Sequence, residues 1–292
     1  AEGKSHIIQS VTDKEISYII EKLYLDDIVD IIEEFPANIV KRLVQNTDEP
    51  TRKLINQFLQ YPEDSAGSIM TIEYLGLKKE MNVAQALDHI RQHGVDKETI
   101  NICYVMAADR KLEGVIPIRR LILNESHVLV KDIMDTHLIS ARTLDDQETV
   151  ADLFKKYDFL SMPVVDNENR LVGIITIDDI VDIIEEENTE DFEIMAAMQP
   201  SKEEYMKSST WELAKNRIPW LLILMVSATF TGGIIERYED AIQKFIILST
   251  FVPMLMDTGG NSGSQSSTLV IRGLALGEIQ MKDFLRVLWK EF

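Results

Sequence analysis

Basic residues are missing where the acids are densest. Between Leu171 and Ser201 there is no lysine or arginine, although Asp178 to Glu193 holds nine carboxylates in the stretch IDDIVDIIEEENTEDFE. The chain as a whole carries 30 Lys and Arg against 49 Asp and Glu, a formal net charge of −19. That balance excludes nucleic acid as a partner, because a phosphate backbone is bound through clustered Lys and Arg. Diffuse acidity is ordinarily a solvated surface, but like charges spaced i,i+4 destabilise a helix, so a run of unopposed acids needs a further reason. Cysteine is nearly absent too. The single Cys103 excludes an internal disulfide and fits a reducing compartment; in the apolar run INICYVM it reads as a core residue. No Gly-Lys-Ser/Thr phosphate loop, metalloprotease helix motif or nucleophile–base pair is visible, so no enzyme is expected. His89 and His93, at i,i+4, have a zinc-binding spacing but lack the intervening Glu and a third ligand, and read as exposed helix residues. The chain starts at Ala1, with neither Met nor a secretory signal, as expected of a fragment of a longer protein.

At 292 residues the chain has room for two or three domains. Residues 1–62 read as a small all-helical domain: Ile16, Ile19, Ile20 and Leu23, then Ile28, Ile31, Ile32 and Phe35, follow the one-sided helix pattern. Thr12 with Glu15 forms a capping box, and Pro36 and Pro50 punctuate the helices. Residues 63–126 and 127–190 are copies of one unit. Gly114 matches Gly173 and Leu112 matches Leu171, fifty-nine residues apart, while SIMT (68–71) matches DIMDT (132–136). Each copy predicts a strand, a helix, two strands around a polar turn, and a helix. Asn167-Glu168-Asn169 is the second turn, and Leu171–Ile175 is a buried strand.

Residues 191–217 read as a helical connector ending in Lys207, Lys215 and Arg217. Ile218–Ile235 then runs eighteen residues without a charge, enough to cross a bilayer with Trp220 at its edge. A second segment, FIILSTFVPMLM (245–256), gives way to polar DTGGNSGSQSST (257–268) before LVIRGLALG (269–277), which predicts an interrupted membrane helix of the kind that builds ion sites. A plain cytoplasmic loop is the alternative. Basic residues flank the outer ends of this hairpin and its loop ERYED is acidic, so both ends face the cytoplasm.

The tandem βαββα unit resembles paired CBS domains. Together with YPEDSAGSIMT (61–71), DDIVDIIEEENTED, the Pro-Trp-led first span and VPMLMDTGGNSGSQ, it is similar to the MgtE family of magnesium channels. The resemblance implies a multidomain α+β chain: a shortened N-terminal helical domain, a CBS pair, a connecting helix and α-helical membrane segments (218–292). It further implies a multi-pass, homodimeric, Mg2+-selective channel of the cell membrane. Its N-terminal and CBS domains would lie in the cytoplasm and close the pore when internal Mg2+ is high. Five membrane helices are implied; this sequence supplies two. By motif match the sensing acids fall on Asp26, Asp30, Glu148, Asp158, Asp179, Asp182, Glu187 and Glu190, and the pore motif on Gly259, Gly260 and Asn261. The family also uses an acid on its last membrane helix, absent here; Asp257 is a substitute candidate, its ordinary reading being a helix end. Thr176 and Asp179 in GIITIDD resemble the CBS pattern that holds an adenosine ribose, which leaves ATP open as a second ligand beside Mg2+. A nucleotide-sensing module of another membrane protein, or a divalent-cation exporter, would share these cytosolic features.

The physical basis of such a sensor is simple. Mg2+ takes oxygen ligands, keeps several waters and is usually held directly by one or two carboxylates. Without it, two carboxylates about 6 Å apart repel by roughly 2–3 kcal/mol at an effective dielectric of ~20. Asp26 and Asp30, like Asp178 and Asp182, share a helical face, so opposed acidic faces would separate until divalent ions reverse the sign.

Overall fold

The structure is a computed structural model that describes residues 18, 22–34, 37–45, 47–201, 205–206 and 208–291. Thr12, Glu15, Ile16, Ile19, Ile20, Phe35 and Pro36 lie outside the described residues. The chain divides into two compact units, Ala1–Ile184 and Glu185–Phe292.

Among the described residues, the first unit carries three helices ahead of the repeats, α1 (Leu25–Glu34), α2 (Ala37–Gln45) and α3 (Glu49–Phe58). Asp48 caps α3 by accepting a hydrogen bond from the Thr51 N–H at 3.4 Å, and Pro50 sits in the first turn, where its missing N–H costs nothing. Ile28, Val29 and Ile32 of α1 are buried with Leu43, Ile55 and Phe58, as the helical spacing of Ile28 and Ile32 predicts. They join one apolar cluster with Met70 and with Val150, Phe154, Met162 and Ile175 of the second repeat.

The repeats are two three-stranded sheets of one topology. The first comprises β1 (Gly76–Leu77), α4 (Val83–His93), β2 (Ile102–Met106), β3 (Leu112–Pro117) and α5 (Ile118–Leu123); a short α6 (Val130–Ile133) follows. The second comprises β4 (Ala141–Arg142), α7 (Gln147–Tyr157), β5 (Ser161–Val165), β6 (Leu171–Thr176) and α8 (Ile177–Met195). In each, a parallel pair is followed by an antiparallel hairpin with an irregularity after Val105 or Val164. The extended segments before the two sheets are exchanged. Thr71 and Ile174 trade backbone hydrogen bonds at 2.8 Å, and Val115 and Asp135 do so at 2.9 and 2.8 Å. Both matched glycines exist for this crossing: a Cβ on Gly173 would lie 2.7 Å from the Met70 sulfur, and one on Gly114 2.6 Å from that of Met134. Cys103 is buried in the first repeat's own core with Leu77, Ile90 and Ile116.

In the second unit, α9 (Thr210–Arg237) starts at Ser209, whose hydroxyl accepts from the Glu212 N–H at 3.2 Å. Next come α10 (Glu239–Lys244), α11 (Ile247–Ala275) and, after a 3-10 turn at Met281–Asp283, α12 (Phe284–Glu291). Two expectations change. The connector is not one helix: α8 reaches Met195, and the described residues between Ala196 and Ser209 are not helical. Nor is α11 interrupted, since 257–268 is helical throughout. Glycine costs a helix about 1 kcal/mol, and Ser, Thr and Asn less; only proline breaks the ladder, and Pro253 precedes the polar run. Thr258 and Thr268 turn their hydroxyls back onto the carbonyls of Met254 and Ser264 at 2.8 and 2.9 Å. Among the described residues, one helix, α9, is long and apolar enough to cross a membrane.

Candidate functional site

The carboxylates of the first unit converge where β6 enters α8. Asp178 and Asp179 occupy the first turn of α8, where the helix dipole favours negative charge. The Thr176 hydroxyl, on the last residue of β6, lies against both and donates to Asp179 Oδ2 at 2.9 Å. The first repeat contributes Glu73 and Glu98. Glu73 accepts from the Thr71 hydroxyl at 2.6 Å and the Ile72 N–H at 3.1 Å, and its carbonyl accepts from the Glu98 N–H at 2.9 Å. From the helical segment, the Tyr24 hydroxyl reaches the Lys97 carbonyl at 3.4 Å, and Asp27 of α1 adds a further carboxylate.

The electrostatics of this cleft are unbalanced. Burial pushes Glu98 from 4.5 up to about 7, and the charges of Asp178, Asp179, Asp27 and Glu73 push the same way. Its Oε2 is buried without a hydrogen-bond partner among the described residues. Burial likewise raises Asp179 from 3.8 to about 6; the Thr176 hydrogen bond opposes this, while Asp178 and Asp27 add to it. Both therefore hold protons more tightly than free carboxylates do, which is the condition in which a cation, by replacing the proton, gains most.

Of the acids named from sequence, Asp179 lies in this cleft. Asp182 and Glu190 are exposed farther along α8 and Glu187 is half-buried; eleven residues of helix set Asp179 and Glu190 about 16 Å apart. Glu148 and Asp158 sit at opposite ends of α7, about 15 Å apart. Glu148 is in the first turn, beside the capping residue Asp146, and Asp158 ends the helix in the left-handed conformation, φ 53°, which Asp tolerates better than most residues. Asp26 and Asp30 lie on α1, and their side chains fall outside the described residues. Among the described residues, no three His, Cys, Asp or Glu side chains are grouped so as to hold a metal ion. The acids named on α7 and α8 are thus spread along their helices. His89 and His93 stack with ring centroids 4.2 Å apart on α4 and gain no third ligand there.

Sequence reasoning missed Glu98, Glu73 and Asp27. Asp27 adjoins the acid it did choose, but nothing in VDKETI marks Glu98, whose carboxyl feels the charges of Asp178 and Asp179 from far along the chain.

Residues 1–64 match the MgtE intracellular N domain, 130–186 the CBS domain and 252–292 the MgtE divalent cation transporter domain. The magnesium transporter MgtE of Thermus thermophilus is 38% identical over 271 residues, 91% of this chain and 60% of that protein. Its Bacillus subtilis counterpart is 35% identical over 286 residues, 98% of this chain and 63% of that protein. A crystal structure of the cytosolic domain of the Mg2+ channel MgtE in complex with ATP shares 37% identity with a TM-score of 0.59, covering 62% of this chain and 75% of that one. The helical segment, CBS pair and transporter domain, in this order, define a CBS-containing class of divalent-cation transporters. The chain belongs to the MgtE family of magnesium transporters, and it spans somewhat under two thirds of the length of the relatives it matches.

Proposed function

We propose that this chain is the Mg2+-sensing part, and the beginning of the pore part, of a homodimeric, multi-pass magnesium channel of the cell membrane that closes when internal Mg2+ is high. The observation that carries the reading is the group of carboxylates Asp27, Glu73, Glu98, Asp178 and Asp179, with Glu98 and Asp179 raised by burial and mutual repulsion. Working domain limits are 1–62, 63–126, 127–190, 191–217 and 218–292. Asp26, Asp30, Glu148, Asp158, Asp179, Asp182, Glu187 and Glu190 are the acids that hydrated Mg2+ bridges across domains and subunits. At low Mg2+ their repulsion separates these faces, the connector moves and the pore opens. Gly259, Gly260 and Asn261 face the permeating Mg2+, with α9 and α11 both crossing the membrane and the acidic domains in the cytoplasm.

The test is protease protection and Mg2+ flux in the complete transporter from micromolar to tens of millimolar Mg2+. Protection should rise and flux fall with Mg2+, and neutralising Asp179, Asp182 and Glu187 together should abolish both responses. A triple variant that gates like the wild type defeats the proposal. A second reading adds ATP to the same module: Thr176 and Asp179 hold hydroxyl and carboxylate 2.9 Å apart, and the related cytosolic domain was crystallised with ATP. Calorimetry with ATP and Mg2+ added separately tests it; no ATP heat in wild type, or an unchanged heat in Asp179→Ala, removes the nucleotide.

A further inference from the structure

The continuity of α11 changes what Asp257 can do. It lies in the helix interior, where the apolar run 245–256 gives way to the polar run 257–268, and not at a helix end. A carboxylate at such a position in a membrane-directed helix is costly and must face a wet or protein-lined space. Side chains on a helix lean toward its N-terminus, so residue i meets residue i+4. Here the Asn261 amide Nδ2 donates to Asp257 Oδ2 at 3.3 Å.

That contact has a directional consequence. A carboxylate accepts and cannot donate, so it attracts the NH2 edge of the amide and repels the carbonyl edge. With Nδ2 held toward Asp257, Asn261 Oδ1 is turned away from it. Hydrated Mg2+ presents water protons, which need oriented acceptors. Gln265 continues the same helical face one turn on, whereas Thr258 and Thr268 have folded their hydroxyls onto the backbone.

We propose that Asp257 is a positioning residue of the permeation path: it fixes the Asn261 amide so that Oδ1 accepts from the water shell of the passing divalent cation. The inference rests on the Mg2+-channel reading above. The test is Mg2+ flux through the complete transporter in proteoliposomes, read as half-saturating Mg2+ and maximal flux separately. Asp257→Ala should raise half-saturating Mg2+ about three- to tenfold, a modest loss because the bond is long for a charge-assisted one. Asp257→Asn, which still accepts through its own Oδ1, should recover most of that loss. In an Asn261→Ala background, Asp257→Ala should have no further effect. Should Asp257→Ala fail to assemble, Asp257→Ser, too short to reach Nδ2, takes its place. The proposal is overturned if Asp257→Ala matches wild type, if Asp257→Asn is as impaired as Asp257→Ala, or if the loss persists unchanged without Asn261. A wild-type protein that carries no Mg2+ overturns the channel reading and this one with it, an outcome distinct from all three.

Discussion

The two CBS repeats share a strand order and a register, yet they carry opposite charge at the same junction. β3 runs into α5 through Pro117-Ile118-Arg119-Arg120, and β6 runs into α8 through Thr176-Ile177-Asp178-Asp179. Arg120 spends its guanidinium on structure, donating to the Ile133 carbonyl at 2.8 Å, and Pro117 gives α5 no side-chain cap. Thr176 and Asp179 hold each other instead, in a cleft where burial raises the acid. α5 has six residues and α8 nineteen. The shared fold therefore resides in apolar positions and glycines, while the sensing proposed above draws on a strand–helix junction whose acids the first repeat lacks.

Making the second junction like the first is the most damaging test of this contrast. Asp178→Arg with Asp179→Arg should shift half-inhibiting Mg2+ by more than about tenfold, since two charges change sign among carboxylates that interact at roughly 2–3 kcal/mol per pair. Flux titration measures it, and wild-type inhibition in the double variant would remove the junction from the sensor. A smaller effect compares the halves as structure. Gly173→Ala places a Cβ against both the Met70 sulfur and the Thr71 carbonyl at 2.7 Å, whereas at Gly114 the backbone neighbour, the Asp135 carbonyl, is 3.1 Å away. A methionine can move and a paired carbonyl cannot. Both should destabilise by about 1–3 kcal/mol, Gly173→Ala more. Urea midpoints with Gly114→Ala the more damaging would refute the exchanged-segment explanation.

The repeat was legible because its signals are local: paired glycines, alternating strands and a polar turn recur at a constant offset. Asp179 was legible through its motif with Thr176. Glu98 was not, because burial raises its carboxyl and the charges that add to it include Asp178, some eighty residues away along the chain. The continuity of α11 was misread for the opposite reason. Composition at 257–268 resembles a loop, but no residue there removes a helical hydrogen bond, so a weak propensity lost to the ladder.

Protons offer a gentler probe of the cleft than charge reversal. Glu98, raised from 4.5 to about 7, and Asp179, raised from 3.8 to about 6, keep protons that the unfolded chain releases earlier. The folded state binds more protons across this window, so their contribution to stability is full below about pH 4 and is lost as pH rises through 6 and 7. His89, lowered by burial, titrates in the opposite sense, so the clean readout is wild type minus Glu98→Gln. In metal-free protein that difference in Tm should turn against wild type between pH 5 and 8, and Mg2+ should reduce it. A pH-independent difference would show that Glu98 does not share the field of the α8 acids.

The smallest expected difference lies at the hairpin turns, where Arg110 (φ 66°) and Asn169 (φ 59°) occupy matching left-handed positions. Asn adopts this region readily, whereas Arg pays about 1 kcal/mol. Arg110 offsets that cost through its guanidinium, which donates to the Leu171 carbonyl at 3.2 Å and the Tyr74 hydroxyl at 3.3 Å. The two turns also hold each other: the Leu112 N–H donates to the Asn169 carbonyl and the Leu171 N–H to the Arg110 carbonyl. Arg110→Asn therefore exchanges backbone strain for two long hydrogen bonds and should leave stability within about 0.5 kcal/mol of wild type. Asn169→Arg adds strain to a turn that already has its partners, and should cost about 1 kcal/mol. Urea midpoints at constant m-value decide between them; a neutral Asn169→Arg beside a costly Arg110→Asn would mean that the guanidinium contacts, and not the backbone, set the asymmetry of the turns.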